Sequence, residues 1–239
     1  MIFPRLIARL LILILASYQI GLSAKDVNGG VSFGTSTRVV FNAEESKISF
    51  PISNLTSRAH VFQGLILNED LKSFSKDFIV NPEVLHLPSG DTKKAQIIRL
   101  GGNFPSDRET LLYLQGHFLP NEVSQNKQNT LNISYAIQMK MFFRPSKLKA
   151  GFDAIDDVAD ELEFKVRAKR LYVKNLSPYY LTVNTIHLGN KRILIPDETS
   201  MISPFGETSY GLPDKYENKI TWTLINDGGY ATKPITRDL

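Results

Sequence analysis

The stretch Thr130–Pro145, TLNISYAIQMKMFFRP, decides the fold. Its odd-numbered members Leu131, Ile133, Tyr135, Ile137, Met139 and Met141 are apolar, and side chains on a strand alternate with period two, so they form one apolar row. The even-numbered Asn132, Ser134, Ala136, Gln138 and Lys140 are polar or small. Such a two-sided pattern belongs to a sheet with one solvated face, not to the continuous apolar run of a buried parallel strand. Strands commonly end after about five or six residues. One roughly twice as long is expected to outrun its own sheet and leave part of its apolar row to meet something else.

Working outward, the runs SFGTSTRVVF, KISFPISNL, HVFQGLIL, FIVNPEVLHL, KKAQIIRL and TLLYLQGHFL are rich in β-branched and aromatic residues and bounded by turn signals. With the strand at 130–145 they make seven, spaced as in an immunoglobulin-like sandwich. Ser146 to Glu161, SKLKAGFDAIDDVADE, breaks the pattern with acids after a basic start. Phe152 to Leu162 within it reads equally as a short helix or a solvated linker. A second β series, ELEFKVRAKRLYVKN, YYLTVNTIHL, RILIPDE, ETSYGLP and KITWTLIND, then predicts a smaller all-β domain. The expected organisation is a leader at 1–24, a first domain at 25–147, a linker at 148–161 and a second domain at 162–239.

The leader reading rests on Arg5 and Arg9 ahead of the apolar run Leu10–Ala16, with small residues near Ala24. A membrane anchor is the alternative, but the apolar core falls short of the roughly 20 residues a spanning helix needs, so cleavage is expected. Losing Arg5 and Arg9 lowers the formal charge from +4 to +2. A balance so near zero argues against nucleic acid as a partner, because phosphate binding wants clustered Lys and Arg with few acids. The chain has no cysteine, so an exported fold must rest on its apolar cores, which about 215 residues can supply.

Catalytic signatures are absent. His60, His86, His117 and His187 are scattered without metal-ligand spacing, and neither a GxSxG elbow nor a GxxxxGK[ST] loop occurs. No metal, cofactor or enzymatic activity is expected. The sequons at Asn54, Asn132 and Asn175 read as accidental.

Several motifs carry a family resemblance in register through both halves: TRVVF (Thr37–Phe41), SDRETLLYL (Ser106–Leu114), MKMFFRP (Met139–Pro145), NLSPYYLTV (Asn175–Val183), ISPFGE (Ile202–Glu207) and ITWTLINDGG (Ile220–Gly229). The chain resembles the periplasmic pilus-assembly chaperones of the chaperone-usher pathway. The resemblance implies an all-β fold of two immunoglobulin-like β-sandwich domains in an L-shaped arrangement, working in the periplasm. It also implies a partner, a pilus subunit whose sandwich lacks a strand, and a second partner, the outer-membrane usher that receives it. Leu131, Ile133, Tyr135 and, at the margin, Ile137 align with the donated strand, a form of β-augmentation. Arg38 and Lys140 align with the pair that grips the subunit's C-terminal carboxylate and so fixes register. Glu109, Arg144 and Asp227 match an interdomain ion cluster.

Some positions depart from the family pattern. Gly228 follows Asp227 directly where an aromatic usually intervenes, Phe143 stands for a common tyrosine, and Tyr135 for an aliphatic residue. The short, cysteine-free connection Leu119–Asn129 is similar to the short-loop class. An exported two-domain adhesin or structural pilus component is the alternative from another class, and a secreted β-sandwich hydrolase a distant third. A self-capping dimer would be one way to cover the apolar row in the free protein.

Overall fold

The computed structural model describes residues 29–34, 36–121, 134–151 and 153–239. Leu131, Ile133, the Asn132 sequon, the leader and most of the Leu119–Asn129 connection lie outside the described residues. Two β-sandwiches follow one another along the chain. The first contains β1 (Val31–Phe33), β2 (Arg38–Asn42), β3 (Lys47–Asn54), β4 (His60–Asn68), β5 (Phe78–Asn81), β6 (Val84–Leu87), β7 (Thr92–Arg99), β8 (Thr110–Pro120) and β9 (Tyr135–Arg144). One sheet has the order β1-β3-β7-β5 and the other β2-β9-β8-β4-β6.

Two of the runs read as single strands divide between these sheets. SFGTSTRVVF becomes β1 and β2, and the chain crosses over at Gly34, whose φ of 76° is open to glycine at little cost. FIVNPEVLHL divides at Pro82, which has no N–H to give to a ladder, into β5 and β6. The alternation of apolar residues then fills the space between the sheets. Phe33, Phe62 and Phe118 pack ring against ring, and Gly116 makes room for them, since a Cβ there would stand 2.6 Å from the Phe33 ring.

On β9 the odd row Met139, Met141 and Phe143 enters this core. The opposite face carries Phe142 and Arg144, which are also buried. That face was expected to be polar and solvated; at its C-terminal end the second domain covers it.

The second sandwich contains β10 (Leu162–Arg167), β11 (Arg170–Asn175), β12 (Leu181–Leu188), β13 (Lys191–Arg192), β14 (Met201–Ile202), β15 (Glu207–Gly211), β16 (Lys219–Ile225) and β17 (Ile235–Asp238). Its sheets are β10-β11-β15 and β13-β12-β16-β17, with β14 also on β12. Within the acidic connection, Ala154–Asp157 form the single-turn helix α1. Ala154, Ile155 and Ala159 recur at helical spacing and are buried in the second core, while the acids stay outside. Trp222 is fully buried and its Nε1 donates to the Ala159 carbonyl at 2.8 Å.

Two sequons turn out to be structural turns in matching places. The Asn54 carboxamide oxygen accepts from the Thr56 N–H and hydroxyl, and its nitrogen donates to the carbonyls of Arg58, Leu87 and Pro88. Asn175 repeats the arrangement with Ser177, Tyr179 and Ser203. Each side chain closes an Asx turn and satisfies buried carbonyls at a strand end, and both asparagines are fully buried, which leaves a glycan no room.

Candidate functional site

The site grows from the way β2 and β8 flank β9. On one side β9 is paired antiparallel to β8 over all but its last residue, from Tyr135 opposite Phe118 to Phe143 opposite Thr110. On the other side β2 runs parallel to β9, but only from Arg38 opposite Lys140 to Asn42 opposite Arg144. Among the described residues, the outer edge of Tyr135–Met139 therefore has no partner strand. Here the backbone presents unpaired N–H and C=O groups, a ready template for a further strand. Tyr135 is 38% exposed, and Ile137 is half-buried against the margin of the core.

Arg38 and Lys140 face each other where this bare edge ends. Arg38 is only 7% exposed; its Nη1 donates to the Ile225 carbonyl at 3.2 Å across the domain boundary, and its guanidinium lies 5.7 Å from the centre of the Phe142 ring. Its buried Nε has no hydrogen-bond partner among the described residues. Burial pushes the Lys140 ammonium below its ordinary value and the charge of Arg38 pushes it further, against the weaker pull of Asp197. Burial lowers Arg38 too, opposed by Asp227 and Glu109. Neither cation makes an ion pair among the described residues. Two like charges held together, one with a buried donor unused, form a place for an anion.

Behind the cations a buried cluster joins the domains. Arg144, 1% exposed, donates from Nε to Glu109 Oε1 at 2.8 Å, and from Nη1 and Nη2 to the two Asp227 oxygens at 2.8 and 3.2 Å. Glu109 Oε2 accepts from the Tyr180 N–H at 2.8 Å. Burial pulls the Arg144 guanidinium down, but Asp227 and Glu109 outweigh it and hold the group above its usual value. Although two glycines follow Asp227 directly, its carboxylate reaches Arg144 with both oxygens. Leu111, Phe142 and Tyr180 make a small apolar cluster beside these charges, and the Tyr180 hydroxyl donates to Glu69 at 3.3 Å.

The structure thus brings Arg38 and Lys140 together, and Glu109, Arg144 and Asp227 together, and it places Tyr135 and Ile137 on the bare edge. Phe142 and Tyr180 were missed as interdomain contacts. The lone signal was Phe142 itself, a large apolar residue on the polar face of its strand. No group of metal-ligating side chains occurs among the described residues.

An open strand edge ending at facing cations, carried on two joined sandwiches, belongs to a protein that binds another chain by adding a strand. The family model for "Pili and flagellar-assembly chaperone, PapD N-terminal domain" matches residues 33–149, and that for "Pili assembly chaperone PapD, C-terminal domain" matches residues 157–236. The chaperone protein PsaB of Yersinia pestis is 31% identical over 85% of this chain and 81% of its own. The crystal structure of the Escherichia coli chaperone DraB superimposes with a TM-score of 0.76 at 30% identity, covering 88% of this chain and 98% of that one. The Salmonella enterica SafB chaperone, solved in complex with the SafA pilin, gives 0.77 at 27% identity over 88% and 96%. The chain belongs to the family of pilus-assembly chaperones. Membership makes it a non-enzymatic protein of the periplasm.

Proposed function

We propose that this chaperone binds pilus subunits by completing their sandwich with its own strand, using Leu131, Ile133, Tyr135 and, at the margin, Ile137 as the donated row. The observation that carries this reading is the bare edge of Tyr135–Met139 ending at Arg38 and Lys140. A subunit strand pairs with that edge, and its terminal carboxylate takes the unused Arg38 Nε and the Lys140 ammonium. The cations fix register, because a slip of one residue would turn every donated side chain away from the subunit's groove. Burying three such side chains contributes roughly 4–9 kcal/mol gross, from which ordering costs subtract.

Glu109, Arg144 and Asp227 hold the angle between the domains and so the shape of the cleft, a matter of specificity more than of added stability. The chain reaches the periplasm with a leader that is cleaved near Ala24, and an outer-membrane usher takes the subunit when another subunit's strand displaces the donated one. Arg38→Ala and Lys140→Ala test the reading. Each variant should fold and stay soluble yet fail to protect a co-expressed subunit. Equal subunit recovery with wild type and both variants would reject the clamp.

A further inference from the structure

The hairpin formed by β10 and β11 carries an exposed concentration of positive charge that strand addition does not use. Residues 163–174 hold five cations, Lys165, Arg167, Lys169, Arg170 and Lys174, against one acid, Glu163. The chain has 28 basic and 24 acidic side chains, so the other 23 of each cancel and the entire formal excess of +4 resides in this hairpin. Every residue from Lys165 to Arg170 is exposed. Lys165 pairs with Glu163, but among the described residues the other four cations make no ion pair. A hydrogen bond from Lys165, and then the charges of Lys165, Lys174 and Arg167, hold the Glu163 carboxyl below its ordinary value. Nearby acids do not neutralise the tip. Glu207 lies opposite Lys174 at the other end of the hairpin, and beyond β15 Asp214 and Glu217 are matched by Lys215 and Lys219.

The turn holds a lysine at the tip against its backbone preference. Arg167 stands opposite Arg170, and the two residues between them, Ala168 and Lys169, have φ of 46° and 61°. A two-residue hairpin turn demands this left-handed backbone, which asparagine and glycine adopt more readily than alanine or lysine. Arg170 is fixed by neutral acceptors that leave its charge uncompensated, its Nε donating to the Ser209 hydroxyl at 3.0 Å and its Nη2 to the Ser209 carbonyl at 2.9 Å. Val166, 39% exposed, and Ala168 lie between the cations. Protein interfaces are depleted of lysine and have apolar centres, whereas a ridge of long cationic stems with short apolar side chains between them suits a layer of anionic headgroups. The other end of β11 faces the first domain: Asn175 comes shortly before Tyr180, whose N–H donates to Glu109. The tip stands roughly 17 Å along the strand from that boundary.

We propose that the β10–β11 hairpin docks on an anionic lipid bilayer, with Arg167, Lys169 and Arg170 at the phosphate headgroups and the guest-binding edge left free. Lipid bilayers bound the periplasm on both sides, so this contact holds the chaperone at a margin of its compartment without occupying the strand that captures a subunit.

Flotation of the purified chaperone with lipid vesicles tests this. Phosphatidylcholine vesicles containing phosphatidylglycerol should carry the protein upward, pure phosphatidylcholine vesicles should not, and binding should weaken as salt is raised. A cation near an anionic surface raises partition about fivefold. Lys169→Asn should therefore lower binding about fivefold, and Arg167→Gln combined with Lys169→Asn about twentyfold. Asparagine suits the left-handed turn, so lost binding in the single variant is not lost folding. Both variants should recover a co-expressed subunit as well as wild type does, which separates this surface from the strand-adding edge. Equal flotation with the two vesicle compositions, or of wild type and the double variant, would overturn the proposal. So would retention on immobilised polyglutamate without flotation, which would put an acidic protein in place of the lipid.

Discussion

Lys140 is the residue whose chemistry is most open to measurement. Burial, and then the charge of Arg38, hold its ammonium below the ordinary 10.5 in the free protein. A bound carboxylate favours the charged form, so Lys140 keeps its proton more tightly in the complex than alone. Affinity for a subunit should therefore be highest below the depressed free-state value and should fall as pH rises through it toward 10.5. Titration calorimetry across that alkaline window measures the fall, and Lys140→Arg should flatten it while retaining binding; an equal slope in both proteins would remove Lys140 from the site. The pairing of Arg38 with Lys140 was visible in the sequence only through the family motifs. The unused Nε was not visible at all, since it depends on where the backbone of Ile225, far along the chain, comes to rest.

At the scale of elements, β9 enters the first core through Met139, Met141 and Phe143 but leaves Tyr135 at an exposed end, so its two halves should respond differently to truncation. Met141 is fully buried in the chaperone's own sandwich, so Met141→Ala should cost about 2–5 kcal/mol and lower the urea midpoint. Tyr135 sits at the exposed end, so Tyr135→Asp should change stability by less than about 0.5 kcal/mol while preventing subunit capture in a periplasmic pull-down. A variant that unfolds would place Tyr135 in the chaperone's own core instead. Period-two alternation made this strand legible, as it did β3 and β8. It could not show that Gly34 and Pro82 divide continuous β-rich runs between sheets, because a run of β-formers carries no mark of which ladder it joins. The sequence of the short helix α1 reads equally as a linker for a related reason: four residues of helical spacing become a helix only when a core waits to take Ala154 and Ile155.

For the molecule as a whole, Arg144 is the buried cation that bonds to carboxylates on both sides of the domain boundary. Removing it leaves Glu109 and Asp227 buried without their partner, and burial already pushes Glu109 above its ordinary value. Arg144→Ala should destabilise the protein by about 3–5 kcal/mol. It should also broaden the distribution of interdomain distances seen by small-angle scattering. An unchanged scattering curve would show that the Phe142–Tyr180 contact suffices to set the angle. The three charged residues could be named from motifs, but their meeting could not, because it joins the ends of β8, β9 and β16 across a boundary that alternation within any one strand never mentions. Trp222 adds a practical consequence. As the sole indole of the chain, enclosed in the second sandwich, it makes intrinsic fluorescence a private view of one half of the molecule. Circular dichroism reports both halves, so comparing the two melting curves reveals without any label whether the sandwiches come apart together or in turn.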